Sequence, residues 1–273
     1  PQGPMTRQQF ESFQNLENTI KMVRGDLNFF VPRVEKEIAK AIKTLSLSRS
    51  ESLTKQKAVL EDVARALDLE APKGLKTRKV VIGYDRRFLA FEMAEAIAAA
   101  VRGCELEPLL ADTPVPTPAC SWAVVKHQAL GALVVTASHN PPEWLGLKIK
   151  GPFGGSVEGD FTKAVEKRLE AGGITIPREG LTTRFECRND HINGLRNKFD
   201  IAKIVSGLRD IGLKIIVDPM HGSAAGCIEE LFGEQAHGLI KEIRSNRDPL
   251  FGGNPPEPLA KYTSNLIDVV KSF

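Results

Sequence analysis

The sequence predicts an α/β protein: two α/β sandwich domains, the second truncated, preceded by an α-helical N-terminal segment. Three observations carry this. Short apolar runs bounded by turn residues, such as Lys79–Tyr84 and Ala132–Thr136, have the length of buried strands. Helical segments alternate with them, as in a sheet covered by helices. Residues 1–75 differ, because there the apolar residues recur only at helical spacing.

The elements follow in order. Thr6 and Gln9 form a capping-box pair, and Phe10, Phe13, Leu16, Ile20 and Val23 then line one helical face up to a stop at Gly25. Pro32 opens a second helix, with Val34, Ile38, Ile42 and Leu45 on its apolar side. Ser46–Ser50 is a polar break, and a third helix carries Leu53, Leu60, Val63 and Leu67. Ala71–Gly74 reads as a linker. From residue 76 the character changes. A strand at Lys79–Tyr84, a helix at Phe91–Val101, a strand at Leu106–Leu110, a proline-rich turn at Thr113–Pro118 and a helix through Val125 precede the strand Ala132–Thr136. A glycine-rich loop at Gly146–Gly159 and a helix at Phe161–Glu170 complete this part. Residues 174–190 are polar and irregular, which suggests a boundary. Beyond it the expectation is a helix near Ile192–Ile204, a strand at Leu213–Val217, a helix ending near Phe232, a strand at Leu239–Ile243, a loop at Asp248–Pro258 and a final helix at Ser264–Phe273. The expected division is 1–75, 76–186 and 187–273.

Composition bounds the function. The chain has 273 residues, 42% hydrophobic and 26% charged, the mix of a soluble globular protein. A formal charge of +3 does not by itself call for nucleic acid, and no apolar run reaches the roughly 20 residues of a membrane span. The four cysteines, Cys104, Cys120, Cys187 and Cys227, show no CxxC pairing and no neighbouring ligand histidine. They are expected to be buried thiols in a reducing compartment: cytoplasm, or an organelle stroma or matrix. No signal-peptide pattern opens the chain at Pro1.

The segment that carries chemistry is Thr136-Ala137-Ser138-His139-Asn140-Pro141. It leaves a buried strand directly, and ligand sites in α/β sheets favour the carboxyl ends of strands. A serine hydroxyl is a weak nucleophile and needs activation, for which His139 and Lys148 are the nearest candidates in sequence. A phosphate on Ser138 would carry about −1.5 to −2 charge and require cations or N–H donors around it. Gly151, Gly154 and Gly155 permit close backbone approach. A serine beside a histidine in a loop is usually ordinary, so the weight rests on the whole string.

That string resembles the phosphoserine loop of the α-D-phosphohexomutases, the group that includes phosphoglucomutase and phosphomannomutase. Residues 136–141 match it at every position, and Gly146–Gly155 matches the glycine-lysine and glycine-proline-phenylalanine-glycine-glycine run that follows. Gly83-Tyr84-Asp85-Arg86-Arg87, Val115-Pro116-Thr117-Pro118, Val217–Gly222 and Arg247–Gly253 match further family motifs in family order. The last two lean toward the glucose and mannose enzymes rather than the N-acetylglucosamine branch. The resemblance implies phosphohexomutase-type domains and a phosphoserine that gives its phosphoryl group to a hexose 1- or 6-phosphate and takes the other one back. It implies Ser138 as donor and acceptor, with His139 and Lys148 as catalytic partners. Thr136, Asn140, Gly154 and Gly155 would form the substrate and phosphate loop, and an Asp85–Arg87 ion pair would support it. It also implies Mg2+, touched by Ser138 only through a phosphate oxygen.

The sequence also departs from the family. Residues 1–75 lack its Gly-Thr-Asp-Gly-x-Arg-Gly opening, and the Asp-x-Asp-x-Asp-Arg magnesium loop and the later sugar- and phosphate-reading domains have no counterpart in these residues. Trp144 and Leu145 stand where the family has tyrosine and asparagine. The expectation is therefore a mutase-type chain that does not hold Mg2+ and is inactive by itself. The alternative is a catalytically dead scaffold or accessory subunit, docked into a protein assembly through the helices of 1–75, where Phe29 and Phe30 would mark the surface.

Overall fold

The computed structural model describes residues 77–171, 178 and 180–272. The three helices, linker and docking segment expected within residues 1–75 lie outside the described residues, as does Phe273.

Elements are numbered from the first one described. Strand β1 (Lys79–Tyr84) is buried from Val80 onward and pairs in parallel with β2 (Glu107–Ala111) on one side and β3 (Gly131–Val135) on the other. Helix α1 (Ala90–Gly103) joins β1 to β2, and helix α2 (Thr117–Lys126), opened by the prolines Pro116 and Pro118, joins β2 to β3. Successive strand residues point to opposite faces. Tyr84 meets Phe91 of α1, with ring centroids 5.4 Å apart, whereas the open side of Gly83 faces Cys120 of α2. The two helices therefore cover opposite faces of the sheet, and the main core lies between them.

Two strands differ from expectation. The glycine-rich loop contains β4 (Leu147–Lys150), which pairs antiparallel with β3. The polar stretch 174–190 contains β5 (Thr183–Phe185), which extends the far edge beyond β2. The sheet order is β4-β3-β1-β2-β5. Both additions sit at edges, where half of the backbone groups face away from the sheet and apolar content is not required. Helix α3 (Gly159–Ala171) follows β4.

The second part begins with α4 (Cys187–Lys198) and α5 (Ile201–Asp210), where a single helix near Ile192–Ile204 was expected. The break has a local cause: the Asp200 carboxylate accepts from the Lys203 amide at 2.9 Å and caps α5. β6 (Ile215–Val217) and β7 (Ile240–Glu242) pair in parallel, with α6 (Cys227–Phe232) between them in sequence. A small core gathers Ile201, Val205 and Ala236 with Leu231, Phe232, Leu239 and Ile240. The loop at 248–258 contains a 3-10 turn, Phe251–Gly253, and α7 (Ser264–Ser272) follows. Cys120 and Cys187 are buried, as expected; Cys104, at the end of α1, and Cys227, at the start of α6, are only partly so. No disulfide joins them, and burial pushes the Cys227 thiol up. Among the described residues no helix is long and apolar enough to cross a membrane.

Candidate functional site

The carboxyl ends of β1 and β3 place two loops side by side. The β3 ladder continues for a step beyond the strands, since the Asp85 amide donates to the Val135 carbonyl and the Thr136 amide to the Gly146 carbonyl, at 3.0 and 2.9 Å. Thr136 is buried, and its hydroxyl oxygen accepts from the Ser138 amide at 3.0 Å. The chain then turns through Ser138 at φ 60°, a left-handed conformation unusual for a residue with a β-carbon. Asn140 closes the turn, with its amide and side-chain Nδ2 both donating to the Ala137 carbonyl. Ser138, His139 and Asn140 are thereby exposed at the mouth of the sheet.

Arg87 holds this loop from below. It is 1% exposed, and each of its five side-chain N–H groups has a partner within reach. Nε donates to Asp85 Oδ2 at 3.2 Å, Nη1 to the carbonyls of Pro141 and Trp144 at 2.7 and 3.2 Å, and Nη2 to those of Ser138 and Asn140 at 3.1 and 2.7 Å. The Asp85–Arg87 ion pair is present, and Asp85 Oδ1 also accepts from the Arg87 amide. Strained backbone persists where its surroundings over-determine it; here one guanidinium fixes four carbonyls of the strained loop.

His139 Nδ1 lies 3.5 Å from Ser138 Oγ, and its Nε2 lies 3.9 Å from Glu257 Oε1. The imidazole thus stands between a hydroxyl and a carboxylate, at distances that would tighten around a bound substrate. Lys148 projects from β4, opposite Val134, and is exposed; among the described residues its ammonium has no hydrogen-bond or ion-pair partner. Gly154 and Gly155 lie where a side chain would collide with neighbouring groups. A β-carbon on Gly154, at φ 81°, would come within 2.7 Å of the Ser121 carbonyl of α2, and one on Gly155 within 2.2 Å of the Phe153 ring. Their close approaches are to a helix and an aromatic ring. Trp144 is 60% exposed beside the loop.

The second part contributes residues to which the motifs had assigned no role. Arg86 Nη1 donates to the Ser245 carbonyl at 2.6 Å, and the Arg87 guanidinium carbon lies over the Phe251 ring, 5.0 Å from its centroid. Behind them, buried His221, at φ 61°, uses Nδ1 to reach the Asn246 carbonyl at 3.1 Å. Buried Asp218 pairs with Arg244. Aspartates, arginines and histidines set inside otherwise apolar motif strings were the available signal, because such groups are rarely buried unpaired.

Residues 48–173 match the family model described as phosphoglucomutase/phosphomannomutase, alpha/beta/alpha domain I, a match that starts inside the stretch expected to be an extension. A Methanothermobacter thermautotrophicus protein assigned as a phosphoglucosamine mutase is 27% identical over 222 residues, covering 78% of this chain and 47% of its own. A Schizosaccharomyces pombe phosphoglucomutase is 27% identical over 249 residues, covering 82% of this chain and 45% of its own. A Thermus thermophilus crystal structure assigned as a phosphomannomutase superposes with a TM-score of 0.69 at 31% identity, covering 82% of this chain and 49% of that one. The chain spans about half the length of these relatives. These relatives are assigned to glucosamine, glucose and mannose phosphates, so they do not single out one sugar.

Proposed function

Because this chain belongs to the α-D-phosphohexomutase family through its serine-loop domain, we propose that Ser138 carries the phosphoryl group exchanged with a hexose phosphate, in a 1-phosphate to 6-phosphate mutase cycle. The observation that carries this is the exposed Ser138, held at φ 60° by a loop whose carbonyls are gripped by buried Arg87. In the transfer step a sugar hydroxyl oxygen attacks phosphorus, the P–Oγ bond of phosphoserine breaks, and the hydroxyl proton passes by way of His139 to the departing Oγ. Lys148 offsets the charge that develops, since positioning and neutralisation dominate such transfers. Thr136 and Asn140 keep the loop in its turn.

The family implies Mg2+ at the transferring group. Among the described residues no three His, Cys, Asp or Glu side chains gather into a possible ligand set, and Asp85 and Asp218 are each held by an arginine. The described residues do not fit a carboxylate-held cation. Without that neutralisation, transfer in these 273 residues expressed alone should be slow, seen as a single phosphorylation of Ser138 over a long incubation and not as sugar turnover.

The test is incubation of the chain with glucose 1,6-bisphosphate and, separately, mannose 1,6-bisphosphate, followed by intact-mass and peptide mapping. One phosphate on Ser138, absent from Ser138→Ala, is the expected result. No uptake from either sugar, or equal uptake by Ser138→Ala, sinks the proposal.

A further inference from the structure

We infer that Phe251 is a positioning residue for Ser138, acting through Arg87. The inference rests on Ser138 being the phosphoryl carrier and extends that reading to the second part of the chain.

All the in-plane donors of Arg87 are spent on Asp85 and the serine loop, so only the two faces of the guanidinium remain for packing. The guanidinium carbon sits over the Phe251 ring, 5.0 Å from its centroid, and Phe251 is itself 4% exposed. The turn that delivers it is built for the purpose. Both carboxylate oxygens of Asp248 accept backbone amides, from Leu250 at 2.9 Å and Gly252 at 2.8 Å. Phe251, Gly252 and Gly253 then run in succession at φ 53°, 70° and 79°, which sets the ring against the first part of the chain rather than into the small second core. A phenylalanine in the left-handed region costs free energy, so the ring's destination has to return it.

The consequence is directional. A guanidinium donates in its own plane, so the tilt of that plane decides which carbonyls it reaches. A ring against its face restricts the tilt and keeps water off it, favouring the arrangement that grips Ser138, Asn140, Pro141 and Trp144 together. A residue far along the sequence thus sets the serine loop without touching the reacting atoms. A space-filling role would be met equally well by leucine.

The experiment compares the native chain with Phe251→Leu and Phe251→Tyr by amide hydrogen exchange. The amides of Ser138, Asn140 and Trp144 report the loop, and those of Ile82 and Leu133 report the sheet. Exchange at the three loop amides should rise roughly tenfold in Phe251→Leu, the scale of one lost cation–π contact, while the sheet amides and the whole of Phe251→Tyr stay near native. Unchanged loop exchange in Phe251→Leu overturns the inference. So does an equal rise in Phe251→Tyr, or a rise of the same size at Ile82 and Leu133, which would mean general loss of packing. The rate of phosphate uptake by Ser138 from glucose 1,6-bisphosphate should fall in Phe251→Leu and recover in Phe251→Tyr. A native chain that takes up no phosphate refutes the phosphoryl reading alone, because exchange is measured on the unphosphorylated chain and decides the positioning claim by itself.

Discussion

Replacing Arg87 by lysine keeps a positive charge beside Asp85 and removes the planar fork. The guanidinium satisfies five contacts: one to Asp85 and four to carbonyls of residues 138–144. An ammonium has three donors on a single nitrogen, so at least two acceptors lose their partner. Each buried acceptor left unpaired costs about 1–2 kcal/mol, and losing the face contact with Phe251 adds about 0.5–1 kcal/mol. The loop is exposed on its outer side, where water can replace part of the loss, which places the net destabilisation at about 2–3 kcal/mol. Urea unfolding of both proteins, followed at unchanged m-value, measures it as a lower midpoint. A difference under about 0.5 kcal/mol would be the size of an ordinary surface change and would refute the clamp, since it would mean that the four carbonyls do not depend on Arg87.

Two further predictions concern packing and pH. Gly83→Ala places a β-carbon 2.2 Å from Cys120 Sγ and should destabilise by about 1–3 kcal/mol, as overpacked cores do; Cys120→Ala in the same chain should recover more than half of this, and strict additivity in the double-mutant cycle would count against the contact. Burial opposes ionisation of Asp190, but the hydrogen bonds from Lys126 and His127 outweigh it and hold the carboxyl below its usual value. A depressed carboxylate contributes stability that is present above the unfolded value near pH 3.9 and is lost as pH falls through the folded one. Acid unfolding below about pH 4 should therefore show a shallower slope in Asp190→Asn than in the native chain, and identical slopes would sink the assignment.

What was legible in the sequence is what burial writes strongly. β1 and β3 are unbroken apolar runs because both of their faces meet helices, α1 carries helical periodicity for the same reason, and α2 is announced by the prolines that open it. β4 and β5 escaped because Leu-Lys-Ile-Lys and Thr-Arg-Phe lie at the sheet's edges, where little has to be apolar. The α4–α5 break was readable in principle, since Asp200 just before Ile201 is a capping signal. At the site, Ser138, Thr136, His139, Asp85 and Arg87 fall into one neighbourhood, because motif order places them after β1 and β3. Lys148 stands on the strand paired with β3, while Gly154 and Gly155 serve approaches to Ser121 and Phe153. The roles of Phe251 and Glu257 were hidden, because each depends on which loops meet in space, and no local pattern records that.

Helix α4 has a practical consequence for anyone dividing the chain. Its first residue, Cys187, is buried in the core of the five-stranded sheet, and its Asp190 pairs with Lys126 and His127 at the end of α2. Its last residue, Lys198, places its ammonium over the Trp122 ring, 5.0 Å from the centroid, while Arg188 and Arg196 on the same helix reach Glu230 and Leu231 of α6. A fragment cut ahead of Cys187 would strip the cover from α2 and present Trp122 to solvent as a sticky surface. A cut between Phe199 and Asp200, where the backbone already leaves one helix for the next, keeps that cover, and severs the α6 contacts together with those of Arg86 to Ser245 and Arg87 to Phe251. Expression vectors and protease sites meant to isolate the serine-loop unit belong at that second position.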